Sequence, residues 1–489
     1  MTIKHHYLAF DLGAESGRAI VGTLADGTLA LTETYRFSNV PVRLPDGLHW
    51  DVLRLWSEIK SGISASTLKF DRLLDGIGLD AWGVDFALLD KNGALLSNPF
   101  HYRDNRTDGM LAEAFSRMSR QKIYENTGIQ FMQINTLYQL LSMVICNSPQ
   151  LDLANRFVTI PDLLNYWLSG QITCEFTNAT TTQCYDPRKR EWATPVLEAL
   201  SIPAHIFGPV TQPGTVLGTL PHDLVDGIAA MTSIPVIAPA CHDTGSAVAA
   251  VPASKAAFAW LSSGTWSILG AEVQQPVLSE KALAYNFTNE GGVCGTWQLS
   301  KNIMGLWLVQ ECRREWNLSY DELTHLAAEA KPFIAVIDPD SNLFLHPGHM
   351  PEKIRKFCED TGQPVPETQG EIIRVALESL ALKYRFVLER LEELAGRRLD
   401  PLHIFGGGVK NRLLNQFSAE ATGRTVICGP VEATAIGNIL MQMITLGELG
   451  SLQDARHLVR HSFEIENYHP GDGNGWESAY QKLKSILLS

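Results

Sequence analysis

The chain has 489 residues and a mass of 54.0 kDa, with 45% hydrophobic and 19% charged residues, a composition typical of a globular protein of two or three domains. Its formal net charge of −13 argues against nucleic acid or an anionic membrane as a partner, because both attract basic surfaces. The eight cysteines include no C-x-x-C pair, which favours reduced thiols over a disulfide framework or a zinc site.

No export signal is evident at the start of the sequence, where the short apolar run "YLAF" is followed at once by Asp11. The uncharged stretch 126–151 is the candidate for a membrane span, but polar side chains interrupt it too often for burial in hydrocarbon. These side chains are Gln130, Gln133, Asn135, Gln139 and Asn147. We therefore expect a cytoplasmic protein with no membrane partner.

The first part of the chain predicts three strands, a helix and a fourth strand. The three strands are "YLAFDL", "SGRAIVGTL" and "TLALTETYRF", separated by the turn "GAE" and by Asp26-Gly27. "VLRLWSEIKSGI" predicts the helix, and "GIGLDAW" predicts the fourth strand. A similar strand pair, "AAFAWLSS" and "TWSILGAEV", follows residues 252–255. We therefore place a domain boundary near 252, which gives domains over 1–252 and 253–489.

The second half predicts alternating helices and strands. Its clearest helix has one apolar face and ends at Gly396, a residue that suits a helix C-cap. That face consists of Ile373, Leu377, Leu380, Tyr384, Val387, Leu391 and Leu394. The strands "LHIF" and "TVICGP" and the helix "EATAIGNILMQMITLG" follow, and this alternation implies a largely parallel sheet covered by helices. "KNIMGLWLVQ" predicts the start of a further helix that carries Asn302 and Gln310.

Asp243 lies where a short apolar strand, "IPVIAP", gives way to the helix-compatible run "TGSAVAAV". An aspartate at this position can cap the helix by accepting hydrogen bonds from its first N–H groups. It can also act as a catalytic base, because side chains at strand-to-helix turns project into clefts. This window alone favours the cap.

Other glycine-rich and polar turns suit a polyphosphate. "FDLGAESGR" combines Asp11, a possible magnesium ligand, with Arg18, and "LSSGTWS" offers uncharged donors at the matching turn of the second half. "FGGGVKN" leaves bare backbone against which a flat ligand can lie. Each of these is also compatible with an ordinary turn. Trp82 and Asp85 in "LDAWGVDF" suit a sugar, although a buried tryptophan with a satisfied aspartate is the better interpretation. No P-loop or H-R-D loop occurs.

Ten motifs in consistent order, spanning about residues 7 to 450, resemble the FGGY carbohydrate kinases, and most of all those that act on L-rhamnulose. They are "DLGAESGR", "DAWGVDF", "HYRDNRT", "TNATTTQ", "HDTGSAV", "LSSGTWS", "TNEGG", "KNIMGLWL", "FGGGVKN" and "GPVEATAIGN". The resemblance implies the two-domain α/β fold of the actin/hexokinase ATPases. Each domain then has a ribonuclease-H-like mixed sheet flanked by helices. ATP and Mg²⁺ bind between the domains, and the sugar is phosphorylated on its 1-hydroxyl.

The resemblance also implies roles for individual residues. Asp243 is similar to the catalytic base of the family, and Asp11 to a magnesium ligand of the wider fold. The residues that match ATP contacts are Ala14, Glu15, Ser16, Gly17, Arg18, Thr265, Gln310 and Gly408. The residues that match sugar contacts are Gly83, His242, Asp243, Thr244 and Asn302. Many relatives carry a longer polar side chain in place of Gly83, which fits a differently shaped pocket such as one for a 6-deoxy sugar.

Two alternatives stay open at this point. The chain can be a kinase of another ketose, such as fuculose or xylulose, or a sensor of nucleotide or sugar on the same fold without turnover. An intact Asp243 argues against the sensor, which has no use for a base. We expect small molecules as the partners and a monomer or weak homo-oligomer.

Overall fold

The computed structural model describes residues 4–71, 74–221, 224, 233–471 and 475–488. The chain forms two compact units, each assembled from three segments. The first unit contains residues 1–250, 273–299 and 433–462, and the second contains 251–272, 300–432 and 463–489. The predicted division at 252 stays a prediction. Two later segments, 273–299 and 433–462, pack with the first unit.

The described strands are β1 His5–Leu12, β2 Ser16–Ala25, β3 Thr28–Ser38, β4 Val42–Leu44, β5 Gly47–His49, β6 Gly76–Ala81, β7 Phe86–Leu89, β8 Arg156–Thr159, β9 Cys174–Glu175, β10 Tyr185–Asp186, β11 Glu191–Trp192, β12 Val210–Thr211, β13 Thr215–Thr219, β14 Pro235–Ala238, β15 Ala259–Ser263, β16 Trp266–Val273, β17 Thr288–Gly291, β18 Trp297–Met304, β19 Leu402–Phe405, β20 Val426–Cys428 and β21 Glu466–Tyr468.

The described helices are α1 Val52–Lys69, α2 Met110–Arg117, α3 Arg120–Thr127, α4 Thr136–Ile145, α5 Pro149–Leu153, α6 Ile160–Ser169, α7 Phe176–Thr181, α8 Thr194–Ala199, α9 Asp243–Ala249, α10 Glu280–Tyr285, α11 Trp307–Trp316, α12 Tyr320–Glu329, α13 Met350–Asp360, α14 Gln369–Ala395, α15 Arg412–Thr422, α16 Ala433–Leu446, α17 Leu452–Ser462 and α18 Trp476–Leu488. Among the residues so described, no helix combines the length and apolarity that crossing a bilayer requires.

The main sheet of the first unit is mixed, with strand order β13-β14-β6-β1-β2-β3. The predicted β1, β2 and β3 form an antiparallel meander, while β6 runs parallel to both β1 and β14. The faces of β1 and β6 are buried on both sides, which explains their nearly continuous apolar sequences. α1 packs on β2 and β3 through residues such as Ile59 and Ile63. The predicted mixed, helix-flanked architecture is confirmed for this unit.

Two helices fix the edge of this sheet where β6 and β14 end. α16 packs against α9 and crosses β1 and β6, to which it makes buried hydrogen bonds. Asn438 donates to the carboxyl group of Asp80 at 2.6 Å, and Gln442 donates to the carbonyl of Leu8 at 3.0 Å. Polar groups buried in this way are held in one arrangement, because separating them leaves unpaired polar atoms in the core.

The second unit contains the strand order β16-β15-β19-β20-β21. β15, β19 and β20 are parallel, and the strands that flank them, β16 and β21, are antiparallel to β15 and β20. α14 is the predicted long amphipathic helix, which begins with a capping box at Thr368 and Glu371 and ends at Gly396 in the left-handed conformation. The sheet is therefore mixed here as well, and parallel only in its centre.

Two local predictions are wrong. Asn302 was expected on a helix but lies in strand β18, because the helix begins only after Gly305, at Trp307. Asp243 was expected to cap α9, but the cap position is occupied by His242, whose backbone is extended. Asp243 is the first residue of the helix, so its carboxyl group is left available for another role.

Candidate functional site

The acidic groups of the candidate site follow three neighbouring parallel strands. Asp11 lies near the end of β1, opposite Asp80 of β6 in the register of the sheet. Asp243 follows β14, and His242 beside it forms a bridge with Ala81 at the end of β6. Because the carboxyl ends of adjacent parallel strands meet at one edge, this arrangement brings three acidic side chains to the edge where ligands of such sheets bind.

Asp80 and Asp11 differ in their electrostatic surroundings. Asp80 is fully buried, and burial, together with the charges of Asp11 and Asp243, raises its pKa well above the usual value for aspartate. This shift favours the neutral acid. The Asp11 carboxylate, by contrast, forms an ion pair with the guanidinium of Arg18 on β2. Asp11 is therefore the charged member of the two.

A cation at this edge would have few protein ligands. Among the described residues, no group of three or more His, Cys, Asp or Glu side chains is placed to hold a metal ion. Mg²⁺ in phosphoryl-transfer sites commonly takes one or two carboxylates, with phosphate oxygens and water as its other ligands. The single charged carboxylate of Asp11 fits such an ion and does not fit an all-protein metal cage.

Asp243 lies beside a histidine that is held between two carboxylates. The His242 ring places Nε2 3.5 Å from Asp243 Oδ1 and Nδ1 3.3 Å from Glu290 Oε2. Burial alone would lower the pKa of His242, but Glu290, Asp243 and Glu175 outweigh it and raise the pKa to about 9. His242 is therefore a cation at neutral pH. The side chain of Asp243 is 32% exposed, so its carboxylate is partly accessible to solvent.

The segment after β6 combines a glycine that contacts Thr181 with a fully buried aspartate. A methyl carbon on Gly83 would lie 3.0–3.2 Å from the side chain of Thr181, so a longer side chain does not fit here. Asp85 accepts hydrogen bonds from the indole N–H groups of Trp50 at 2.6 Å and Trp82 at 3.0 Å. Asp85 thus has the structural role that the sequence favoured, and Trp82 holds it in place.

The residues that match ATP contacts, 14–18, span the turn between β1 and β2 and the first three residues of β2. The turn is closed by a hydrogen bond from the Gly13 N–H to the Ser16 carbonyl at 2.8 Å. Gly17 must lack a side chain, because a methyl carbon there would stand 2.2 Å from the ring of Phe37. Ala14, Ser16 and Arg18 are partly accessible and Glu15 is exposed, so of these five residues only Gly17 is buried.

The second unit brings three more of the predicted residues to one corner. Thr265 lies in the turn between β15 and β16, and its carbonyl accepts from the Trp307 N–H at 3.2 Å, where α11 begins. Gly408 follows β19, and a methyl carbon on it would meet Ser263 Oγ at 2.0 Å. Gln310 lies one turn into α11. Asn302, in the preceding strand β18, is partly buried.

Sequence reasoning missed two groups of residues that shape the first unit's site. Glu290 belongs to "TNEGG" and Thr177 to "TNATTTQ", motifs that were noticed but given no role. Glu175 precedes the second motif and is fully buried. The sequence did contain one signal for these residues, the cluster of threonines in "TNATTTQ". Buried hydroxyl groups need hydrogen-bond partners, so such a cluster in a buried helix indicates that the helix holds neighbouring segments.

Two models of one protein family match most of the chain. The model of the FGGY family of carbohydrate kinases, N-terminal domain, matches residues 6–250, and that of the C-terminal domain matches residues 259–446. The chain belongs to the FGGY family of carbohydrate kinases.

Individual relatives match the chain over nearly its full length. The rhamnulokinase of Bacteroides thetaiotaomicron is 44% identical, over 99% of this chain and 100% of its own length. The rhamnulokinase of Oceanobacillus iheyensis is 41% identical over 94% of this chain and 97% of its own length.

Solved structures show the same fold at much lower identity. The ligand-bound xylulose kinase of Lactobacillus acidophilus matches with a TM-score of 0.84 at 14% identity, over 99% of both chains. The glycerol kinase of Plasmodium falciparum with ADP matches with a TM-score of 0.80 at 15% identity, over 99% of this chain and 98% of its own. The predicted fold class is confirmed.

Proposed function

We propose that this kinase transfers the γ-phosphoryl group of ATP to the 1-hydroxyl of L-rhamnulose, giving L-rhamnulose 1-phosphate in L-rhamnose catabolism. The observation that carries the proposal is the full-length likeness to rhamnulokinases. It is supported by the partly exposed carboxylate of Asp243, which follows a parallel strand at the edge shared with Asp11 and Asp80.

Asp243 is the proposed catalytic base. Phosphoryl transfer requires an acceptor for the hydroxyl proton, alignment of the two reactants and neutralisation of phosphate charge. Asp243 takes the proton, since its carboxylate is free of helix capping and contacts the hydroxyl of Thr244 at 3.1 Å and the ring of His242. His242, as a cation, adds positive charge beside the phosphoryl group.

The remaining sugar contacts are assigned by the same proposal to Gly83, Thr244 and Asn302. Thr181 fills the space beside Gly83, so the pocket there is shaped by a hydroxyl and a methyl group from a neighbouring helix. A small apolar and hydroxyl-bearing wall suits a 6-deoxy ketose, which ends in a methyl group where an ordinary ketohexose ends in a hydroxymethyl group.

ATP contacts are assigned to residues of both units. The first unit supplies Ala14, Glu15, Ser16, Gly17 and Arg18, and the second supplies Thr265, Gln310 and Gly408. Mg²⁺, when bound with the nucleotide, neutralises phosphate charge, and Asp11 is its protein ligand, directly or through water. Arg18, which forms an ion pair with Asp11, would place its positive charge beside the same phosphates. The proposal thus assigns sugar and phosphate binding to domain 1–252 and nucleotide binding to domain 253–489.

We further propose that the protein works in the cytoplasm, where ATP is supplied, and that its partners are its small-molecule substrates. It needs no nucleic acid or membrane, and acts as a monomer or weak homo-oligomer. The net charge of −13 supports the exclusion of polyanionic partners.

A panel of ketoses tests the proposal. The purified protein is assayed with MgATP and L-rhamnulose, L-fuculose or xylulose, with ADP release as the readout and phosphorus NMR to locate the phosphate. We expect the highest kcat/KM with L-rhamnulose and a 1-phosphate product. A higher kcat/KM with fuculose or xylulose would leave only the family assignment. ATP binding without turnover on any ketose would instead support a sensor.

A further inference from the structure

The segment that delivers Asp243 needs support from outside the sheet. β14 ends at Ala238, and four residues separate it from Asp243 at the start of α9. The peptide N–H groups of Cys241 and His242 both find their acceptors on side chains rather than on a neighbouring strand. The sheet holds this segment through the hydrogen bond from the Ala81 N–H of β6 to the Cys241 carbonyl at 2.9 Å, and the position of Asp243 depends in addition on those side-chain acceptors.

Both acceptors come from the start of α7. Glu175 Oε2 accepts from the Cys241 N–H at 3.1 Å, and Thr177 Oγ1 accepts from the His242 N–H at 3.0 Å. Glu175 and Thr177 are fully buried. Glu175 is anchored in turn, since its carboxylate caps α7 by accepting from the N–H groups of Thr177 at 3.0 Å and Asn178 at 3.2 Å.

Thr177 links these bonds into one chain. Its hydroxyl donates to Glu175 Oε2 at 2.6 Å, so the oxygen's lone pairs are left to accept from His242. A hydroxyl is the only small side-chain group that donates and accepts in this way. Serine preserves both bonds, whereas valine, which has the shape of threonine, loses both and leaves a buried N–H without its acceptor.

The same helix also holds the other segments of the sugar site. Asn178 Nδ2 lies 3.3 Å from the Trp82 carbonyl and 3.4 Å from that of Cys241, and so joins the ends of β6 and β14. Thr180 Oγ1 accepts from the N–H of Gly291, the residue after Glu290, at 2.8 Å. The polar side chains of α7 thus fix the backbone beside Gly83, Asp243 and Glu290.

We propose that Glu175 and Thr177 are positioning residues for the phosphoryl transfer, which hold the 239–243 segment so that Asp243 meets the sugar hydroxyl. This inference rests on the proposed function for its effect on rate, but not for its effect on the backbone. Neither residue is assigned contact with a substrate. Their loss should lower kcat while leaving the KM for ATP unchanged.

The test compares Thr177→Val with Thr177→Ser and with a matched control. Thr127→Val removes another buried threonine hydroxyl of the first unit, one that donates to the Ile123 carbonyl in its own helix at 2.8 Å. An error of about 1 Å at a reacting group costs about 10²-fold in rate. We therefore expect Thr177→Val to lower kcat by about tenfold to 10²-fold per folded molecule, while Thr177→Ser and Thr127→Val stay within about threefold of the unmodified enzyme.

Hydrogen exchange of the intact protein provides a second readout that needs no activity. The peptide that contains 239–243 should exchange faster in Thr177→Val than in Thr127→Val or the unmodified protein, and Thr177→Ser should restore protection. Equal exchange in the two valine variants would overturn the inference, as would equal kcat. Faster exchange in a protein that phosphorylates no ketose would support the positioning role and refute the proposed function instead.

Discussion

Gly437 in α16 faces the backbone of α9 where no side chain fits. A methyl carbon on Gly437 would stand 1.7 Å from the carbonyl oxygen of Ser246, whereas such carbons do not approach other heavy atoms within 3.0 Å. Gly437→Ala must therefore move the helices apart by about 1.3 Å, the difference of these distances. α16 is tied to the sheet by Asn438 and Gln442, so we expect α9, which begins at Asp243, to move.

The expected cost appears in both rate and stability. A displacement of about 1 Å at the base lowers kcat by about 10²-fold. Overpacking of this kind also costs about 1–3 kcal/mol in the free energy of unfolding. The assay is ADP release at saturating ATP and ketose, at a temperature well below the Tm of the variant, normalised to folded protein.

Gly370→Ala is the matched control. It lies in α14 of the second unit, where a methyl carbon would stand 2.5 Å from the carbonyl oxygen of Leu326 on α12. It should lose stability for the same reason but keep its kcat, because it is not packed against α9. If Gly437→Ala kept a kcat within about threefold of Gly370→Ala, the reasoning that links the position of α9 to the rate would be refuted.

Three further changes test the site directly. Asp243→Asn should lower kcat by at least about 10²-fold and the free energy of unfolding by no more than about 1 kcal/mol, because its ion pair with His242 is partly solvated and it does not cap α9. Glu290→Gln should move the alkaline decline of kcat/KM, expected near the His242 pKa of about 9, to lower pH, since it removes a charge that raises this pKa. Gly83→Ala should raise the ketose KM without changing the ATP KM. Adding Thr181→Ala to this variant should restore the ketose KM, because it removes the side chain that the new methyl group meets.

Each of these three has a clear contrary result. Asp243→Asn with more than about a tenth of the original kcat would remove Asp243 from the chemistry. An alkaline limb that does not move in Glu290→Gln would mean that another group controls it. In the unmodified protein, the Tm should fall between about pH 6.5 and pH 9. A histidine with a raised pKa stabilises the fold fully below about pH 6.5 and loses that effect as the pH rises through about 9. An unchanged ketose KM in Gly83→Ala would place the sugar elsewhere.

Local patterns were enough to predict much of the fold. Apolar runs separated by turn residues predicted β1, β2 and β3, and the apolar face up to Leu394 predicted α14 with its C-cap at Gly396. These elements are determined by neighbours in sequence, through burial of one face and the backbone freedom of glycine. The turns at Thr265 and Gly408 could be located for the same reason, although their roles came from resemblance.

The errors arose where distant residues decide the local structure. Asn302 lies on a strand because Gly305 packs against the backbone of the 264–267 turn, with the site of its missing methyl carbon 2.6 Å from the Gly264 carbonyl oxygen, and this contact delays the helix. Glu175 is separated by 66 positions from Cys241, whose N–H it holds. No pattern within a short window shows either relationship, so the supports of the site could be found only in three dimensions.

The hydrogen bond from Asn438 to Asp80 joins residues 358 positions apart. During synthesis on the ribosome, β1, β6 and β14 emerge long before α16, so the core of the first unit is completed only when nearly the whole chain has been made. Until then, Asp80 lacks its partner and the surface that receives α16 is open. A gene fragment that stops at residue 252 would therefore encode an incomplete folding unit, and folding that depends on such distant contacts is slow. Nascent chains of this kinase are consequently expected to rely on chaperones for most of their translation.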